Sequence, residues 1–133
     1  MKVEIWTDGS CIGNPGPMGI GVVMRCGGRT ATMSKNLGPG TNNRAEILAV
    51  IYALRNLPCP IEEAEVTLYT DSALIFGWLA QGWKAKRNRE LIGEMKVLAA
   101  QCRSFEVRKV EGHSGVEFNE LADELARRAA AGE

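Results

Sequence analysis

The sequence predicts an α/β domain whose mixed five-stranded sheet combines three antiparallel strands with two parallel ones and carries helices on both faces. Strand-like alternation of apolar and polar residues fills the first part of the chain. Farther along, two strand-like segments alternate with segments of helical periodicity, an order that produces parallel strands. A length of 133 residues with 45% apolar residues suits one hydrophobic core, so residues 1–133 are expected to form a single domain.

The first three strands are expected to form an antiparallel meander. Residues 2–7 alternate between apolar and polar side chains, and a loop rich in glycine and proline follows at residues 13–17. Residues 20–26 and 29–36 are predicted as the second and third strands, joined by a Gly-Gly turn. Short connections of this kind place consecutive strands side by side in opposite directions.

The remaining elements alternate helices with strands. Residues 47–54 are apolar throughout, which predicts a buried helix that Asn43 caps and Pro58 ends. The other predicted elements are a strand at 65–70, helices at 72–80 and 88–101, and a strand at 105–110. A final helix has apolar positions from Phe118 to Ala129. Ser114 and Glu117 can form a capping box at its start.

The net charge gives no support for a nucleic-acid partner. The chain has 16 basic and 16 acidic residues, whereas proteins that bind nucleic acids are usually basic. Positive charge is concentrated locally, however, at Lys84, Lys86, Arg87 and Arg89, next to Trp83. This run is either a solvated face or a surface that binds a phosphate backbone.

Two further features indicate the setting of the protein. No apolar run is long enough to cross a membrane, and the first residues do not resemble a signal peptide, so a cytoplasmic location is expected. The cysteines Cys11, Cys26, Cys59 and Cys102 include no Cys-x-x-Cys pair. This spacing favours reduced packing residues over a zinc or dithiol site.

Four carboxylates occupy positions where an acidic residue does not suit the surrounding pattern. Asp8 and Asp71 follow the first and fourth strands, and the carboxyl ends of parallel strands form one crevice in an α/β sheet. Glu46 lies among the apolar residues of the buried helix, and Asp123 lies between core positions of the last helix. Taken singly, Asp8 could be a turn residue, Asp71 a helix cap, Glu46 part of a capping box with Asn43, and Asp123 a solvated residue.

Together, the four acids predict a metal site. Unpaired carboxylates in one crevice repel one another and lose solvation, and bound cations would relieve both effects. Oxygen-rich sites select Mg²⁺ or Mn²⁺, and two such ions about 4 Å apart can activate a water and stabilise the leaving oxygen in phosphodiester cleavage. The sequence therefore predicts a divalent-metal site of the kind that can cleave phosphodiesters.

Six short segments, in order and at compatible spacing, resemble type 1 ribonuclease H over nearly the whole chain. The segments are Thr7-Asp8-Gly9-Ser10, Gly13-Asn14-Pro15-Gly16-Pro17, Thr41-Asn42-Asn43-Arg44-Ala45-Glu46, Thr70-Asp71-Ser72, Gly112-His113-Ser114-Gly115, and Asn119-Glu120-Leu121-Ala122-Asp123-Glu124-Leu125-Ala126. The resemblance implies a ribonuclease H-like fold and an endonuclease that hydrolyses the RNA strand of RNA–DNA hybrids. It also implies two Mg²⁺ ions, with Mn²⁺ as an alternative, and products with 5′-phosphate and 3′-hydroxyl ends.

The resemblance further implies a role for each catalytic residue. Asp8 would bridge both ions, Asp123 would help to hold the ion that activates the attacking water, and Glu46 and Asp71 would hold the ion on the leaving side. His113 resembles the loop histidine that assists proton transfer or product release.

Substrate contacts implied by the resemblance lie in several segments. Asn14, Asn42 and Asn43 resemble residues that touch the minor groove of the hybrid, where amides can bond 2′-hydroxyls and base edges, although turn chemistry also explains them. Thr41 resembles a residue that grips a DNA-strand phosphate, and Asn119 one that orients substrate or a metal-bound water. The other implied contacts are Cys11, Ser72, Trp83, Lys84 and Lys86. The implied partner is an RNA–DNA hybrid, and no membrane is expected as a partner. Relatives of this size suggest a monomer.

This sequence departs from the better-known bacterial pattern in two places. Ala73 stands where a glutamine is frequent, which removes one polar substrate contact. The stretch from Asp71 to Asn88 is also short, where many relatives carry a longer helix and a basic protrusion. Both departures predict weaker substrate binding with the chemistry retained.

Two other functions remain open at this point. One is a nuclease of different specificity on a similar fold, such as a junction resolvase or transposase core, because a fold alone does not determine function. The other is a hybrid-binding module that has lost catalysis. The complete set of acidic residues and His113 argue against the second.

Overall fold

The computed structural model of the protein describes residues 1–110 and 117–133. The loop with His113 and the capping residue Ser114 lie outside the described residues. The elements in chain order are β1 Lys2–Cys11, β2 Gly16–Cys26, β3 Arg29–Gly40, α1 Asn42–Arg55, a 3-10 turn at Ile61–Glu63, β4 Glu65–Thr70, α2 Ala73–Ala80, α3 Arg89–Gln101, β5 Ser104–Lys109 and α4 Glu117–Ala130.

The five strands form one mixed sheet in the order β3-β2-β1-β4-β5. β1 pairs with β2, and β2 with β3, in antiparallel fashion, whereas β1 pairs with β4, and β4 with β5, in parallel. This is the arrangement predicted from the sequence, because tight turns join the first three strands and helices separate the later ones. β1 and β4 are therefore parallel neighbours at the centre of the sheet.

The first three strands are longer than predicted. β1 continues to Cys11, β2 begins at Gly16 and β3 extends to Gly40, so the predicted loop at residues 13–17 is wrong in its last two residues. Asp8 consequently lies inside β1 rather than at its end. The β1–β2 ladder runs without interruption from Glu4 opposite Arg25 to Cys11 opposite Met18. Backbone hydrogen bonding of the ladder thus prevails over the local tendency of glycine and proline to end strands.

Glycines inside these strands mark places where a helix touches the sheet. A Cβ atom on Gly9 would overlap the backbone of Ala45 and Glu46 at the start of α1. A Cβ atom on Gly21 would overlap the backbone of Ala122 in α4, on the opposite face. Both helices therefore lie against the backbone of the sheet close to Asp8, which pairs with Gly21.

The main core lies between the sheet and the helices α1, α2 and α3. α1 packs against β1 and β2 on one side and α3 on the other, which explains why it is apolar on nearly every side. On the other face, α4 covers a smaller cluster in which Trp6 stacks on Tyr69 with ring centroids 4.8 Å apart. Helices thus cover both faces, as the sequence predicted. Within residues 1–110 and 117–133, no helix combines the length and the apolar character needed to span a membrane.

One helix cap differs from the sequence prediction, and a second removes the capping role that the sequence left open for Asp71. Thr41, rather than Asn43, caps α1, because its hydroxyl oxygen accepts a hydrogen bond from the Arg44 N–H at 3.3 Å. Ser72, rather than Asp71, caps α2 by accepting the Ile75 N–H at 3.2 Å. Neither Asp71 nor Glu46 is therefore occupied as a capping residue, and the carboxylates of both are available for another role.

Candidate active site

Parallel pairing brings Asp8 and Asp71 to the same level of the sheet. The β1–β4 ladder ends with Trp6 opposite Tyr69, and the same register two residues farther on places Asp71 beside Asp8. β1 continues past this point while β4 has ended, so Asp71 begins the connection to α2 at the edge of the crevice. Asp8 is buried, with 8% of its surface exposed, whereas Asp71 is exposed.

Glu46 reaches the same point from the second turn of α1. The N–H of Gly9 donates to Glu46 Oε1 at 2.5 Å and to Asp8 Oδ1 at 3.0 Å, so one backbone donor holds both carboxylates. This contact depends on Gly9 lacking a side chain, because α1 lies directly on its backbone. In the sequence, Glu46 is distinguished only as an acid among apolar neighbours.

Among residues 1–110 and 117–133, three carboxylates meet at this site. Ligand oxygens of Asp8, Glu46 and Asp71 all lie within 4.8 Å of one another. Asp123 stands beside them on α4, close enough for its hydrogen bonding to Asp8 to affect that residue's pKa. Its Oδ2 atom accepts a hydrogen bond from Arg127 Nε at 3.1 Å, and its side chain is 47% exposed. Of the four predicted acids, the structure brings three into one cluster and leaves the fourth at its rim.

The electrostatics of the cluster disfavour negative charge. Burial, followed by the charge of Glu46, raises the pKa of Asp8 to about 10. Burial also raises the pKa of Glu46 to about 7, although the hydrogen bonds from Asp8 and from the Gly9 N–H act in the opposite direction. Without a cation, burial and mutual repulsion therefore favour the protonated forms of Asp8 and Glu46.

The donor set fits a divalent cation. Carboxylate oxygens are hard ligands of the kind that Mg²⁺ and Mn²⁺ prefer, and the three clustered oxygens come from three separate elements. A bound cation would also offset the repulsion and the burial that raise the pKa values of Asp8 and Glu46.

A groove lies beside the cluster, at the N-terminal end of α1. Its volume is about 1040 Å³, and we call it the α1–α2 groove. Its lining residues are Asn14, Thr41, Asn42, Asn43, Arg44, Leu74, Trp78, Trp83, Lys84, Lys86, Arg87 and Asn88. The groove therefore joins the start of α1 to the basic segment predicted as a phosphate-binding surface.

Hydrogen bonds fix the α1 side of the groove. The Asn14 side chain accepts the Asn42 N–H at 2.9 Å, which ties the loop after β1 to the start of α1. Cys11 Sγ donates to the carbonyl oxygens of Gly16 and Gly40 at 3.4 and 3.3 Å, and so fastens the same loop to β3. The N-terminus of α1 carries partial positive charge and faces the groove, which suits an anion such as a phosphate.

The remaining predicted site residues are placed in different ways. Asn14, Thr41, Asn42, Asn43, Trp83, Lys84 and Lys86 line the groove. Cys11 is the last residue of β1 and its thiol donates to the Gly16 carbonyl oxygen, Ser72 caps α2, and Asn119 is buried on α4, one turn before Asp123. Ala73 begins α2 and is exposed. His113 lies outside the described residues.

Sequence reasoning missed several residues of the site. The Gly9 N–H donates to two carboxylates. The sequence signal that could have found Gly9 is a glycine inside a strand, directly after an acidic residue. Arg44 and Leu74 line the groove, and Arg44 could have been found as the basic residue of the Thr-Asn-Asn-Arg segment.

The fold and the site define an α/β protein with a cluster of carboxylates, beside its central parallel strands β1 and β4, whose oxygens fit a divalent cation. The family model of RNase H matches residues 1–131. The chain belongs to the ribonuclease H family.

Individual relatives agree with this assignment. The chain is 43% identical to a ribonuclease H of Aliivibrio salmonicida, over 97% of this chain and 88% of the relative. The crystal structure of RNase H1 from the archaeon Halobacterium salinarum is similar with a TM-score of 0.86, at 28% identity, and each chain is covered completely. LC11-RNase H1, isolated from compost by a metagenomic approach and solved in complex with an RNA/DNA hybrid, gives a TM-score of 0.74 at 28% identity, over 96% of this chain and 98% of that chain.

Proposed function

We propose that the protein is an endonuclease that hydrolyses the RNA strand of RNA–DNA hybrids by two-metal-ion catalysis, leaving 5′-phosphate and 3′-hydroxyl ends. The observation that carries the proposal is the position of the carboxylate cluster. Glu46 belongs to the cluster, and Thr41, Asn42 and Asn43, one turn earlier in α1, line the groove. A nucleic acid bound in the groove would therefore present its backbone to the carboxylates. The complex of LC11-RNase H1 with a hybrid supports this choice of substrate.

The resemblance to the ribonuclease H family implies the catalytic roles, and the clustering of the acids supports them. By this assignment Asp8, the most buried member, would help to hold both Mg²⁺ ions, Glu46 and Asp71 would help to hold the ion on the leaving side, and Asp123 the ion on the water side. When bound, the two ions would lower the pKa of the attacking water and stabilise the leaving oxygen. The Gly9 N–H keeps Asp8 and Glu46 oriented, while Arg127 donates to Oδ2 of Asp123. His113 stays a prediction for proton transfer or product release.

The resemblance also implies the substrate roles, and the residues on the two sides of the groove support them. On the α1 side, the amides of Asn42 and Asn43 can bond 2′-hydroxyls and base edges in the minor groove, while the helix N-terminus at Thr41 suits a phosphate. On the opposite side, Lys84 and Lys86 are exposed and suit a second phosphate backbone. Substrate contacts by Cys11, Ser72 and Asn119 stay predictions.

Cleavage of three labelled substrates tests the proposed function. We expect hydrolysis of the RNA strand of a hybrid in Mg²⁺ or Mn²⁺, no cleavage of duplex DNA or duplex RNA, and no reaction in EDTA. End labelling should give 5′-phosphate and 3′-hydroxyl products. Cleavage of duplex DNA would identify a nuclease of other specificity, and tight hybrid binding with no cleavage in either metal would identify a binding module.

The basic segment should contribute a small, measurable part of the salt dependence of binding. Each phosphate contact steepens the log–log dependence of affinity on salt by about 0.7 to 0.9. The double variant Lys84→Ala/Lys86→Ala should therefore flatten the slope by about 1 to 2, measured by anisotropy with a labelled hybrid in Ca²⁺. Lys2→Ala is the control, because Lys2 begins β1, whereas the loop that contributes Asn14 to the groove follows the other end of β1. This variant should leave the slope unchanged. An unchanged slope in the double variant would exclude these lysines as phosphate contacts.

The short basic segment also leads us to expect that the affinity of this protein depends less steeply on salt than the affinity of relatives with a longer basic protrusion.

We propose that residues 1–133 act as one domain and as a monomer, which gel filtration with light scattering would measure. The cytoplasmic location stays a prediction.

A further inference from the structure

Trp83 occupies an unusual position, because it is exposed and yet fixed. It follows α2 after a turn at Gly82, whose φ of 67° reverses the chain direction. The Trp83 N–H donates to the carbonyl oxygen of Gly77 in α2 at 3.0 Å. Its own carbonyl oxygen accepts a hydrogen bond from Lys96 Nζ of α3 at 3.3 Å. Backbone contacts thus join this residue to two helices, although 45% of its surface is exposed.

The indole of Trp83 lies directly on Gly77. A Cβ atom at Gly77 would overlap Cε3, Cδ2 and Cζ3 of the indole, so the ring occupies the space that any other residue's side chain would fill. Gly77 is buried beneath the ring, whereas most of the other residues of α2 carry large apolar side chains. A glycine in a helix costs about 1 kcal/mol relative to alanine, so the close contact compensates for a weaker helix.

The fixed indole determines where the basic segment begins. Lys84, Lys86 and Arg87 follow Trp83 directly and line the α1–α2 groove together with it. A segment that is held at its first residue loses less conformational entropy when a ligand binds, and this smaller loss favours affinity.

We propose that Gly77 is a positioning residue for substrate binding, because it seats Trp83 and thereby preforms the basic side of the α1–α2 groove. The inference rests on the proposed function, since it takes an RNA–DNA hybrid as the ligand of the groove. Gly77 touches no substrate itself and acts through Trp83. An alanine at this position would displace the indole and release the start of the basic segment, while the carboxylate cluster would stay as it is.

The variant Gly77→Ala tests the inference, with Gly93→Ala as a matched control. Both glycines lie in helices, but a Cβ atom at Gly93 would meet no atom within 4 Å. In Gly77→Ala we expect KM for the hybrid to rise about tenfold, with kcat unchanged. Iodide should quench the tryptophan fluorescence of this variant more strongly than that of the wild type. Gly93→Ala should keep the wild-type KM and gain a little thermal stability from helix propensity.

A double variant separates positioning from a general structural effect. If Gly77 acts through Trp83, then Gly77→Ala should add nothing to the KM of Trp83→Ala, whereas independent effects would multiply. Wild-type KM in Gly77→Ala, multiplicative effects in the double variant, or a fall in kcat with KM unchanged would each overturn the inference. Failure of the wild-type enzyme to cleave a hybrid would refute the proposed function instead, and the quenching comparison would still report whether Gly77 seats Trp83.

Discussion

The variant Asp8→Asn should abolish cleavage and, without divalent ions, should melt at the same temperature as the wild type or higher. Asp8 is the most buried acid of the cluster and the one shared by the proposed metal sites, so an amide removes the ligand that both ions need. The amide also removes a carboxyl group whose charged form is destabilised by burial and by Glu46. Activity on a labelled hybrid and thermal unfolding in EDTA measure the two effects.

An acid outside the cluster provides the control for this variant. Glu62→Gln changes an exposed residue of the short turn before β4 and should alter neither activity nor melting temperature. A clear fall in the melting temperature of metal-free Asp8→Asn would contradict the account of crowded carboxylates. Residual cleavage above a few per cent of the wild-type rate would contradict the assigned role of Asp8.

Removal of divalent ions should stop cleavage and reveal a stability that falls with rising pH. The pKa of Asp8 is raised to about 10 and that of Glu46 to about 7 in the metal-free fold. The folded state therefore binds more protons than the unfolded state, whose carboxyl groups titrate near pH 4. The stability contributed by these protons is complete below about pH 4 and is lost as pH rises towards 7 and then 10.

Added Mg²⁺ or Mn²⁺ should counteract this loss. Saturation to one hundred times the dissociation constant stabilises a folded protein by about 2.7 kcal/mol, which is several degrees in melting temperature. We expect this shift to be larger at pH 8 than at pH 5, because at pH 5 protons compete with metal for the carboxylates. Melting curves in EDTA and in Mg²⁺ or Mn²⁺, at pH 5 and at pH 8, measure this shift in melting temperature. Asp8→Asn should lose most of the shift, and an equal shift in this variant would place the metal elsewhere.

The sheet order could be predicted from the sequence, but the extent of its strands could not. Tight turns and intervening helices determine which strands pair in parallel, and both have clear signals in the sequence. The first strand was predicted to end at residue 7 and the second to begin at residue 20, because the contacts that require Gly9 and Gly19 inside longer strands are with helices distant in the chain. Gly9 and Gly21 are understood only once α1 and α4 are seen on the two faces beside Asp8.

The site was predicted in part for similar reasons. Asp8 and Asp71 were recognised because parallel strands carry them to one edge, and the structure places them together. The position of Asp123 at the rim, hydrogen-bonded to Arg127, depends on how α4 rotates over the sheet, which local sequence does not specify. The seat of Trp83 on Gly77 was also not predicted, because a glycine in a short helix gives no sign of the ring that covers it.

A crystal structure of the protein grown in Mg²⁺ would examine the proposed metal site itself. We expect ion density about 2.1 Å from carboxylate oxygens of Asp8, Glu46 and Asp71, with Asp123 turned from Arg127 towards the cluster. Ions bound elsewhere, with these four carboxylates separated on different surfaces, would contradict the assignment of this cluster as the metal centre of the enzyme.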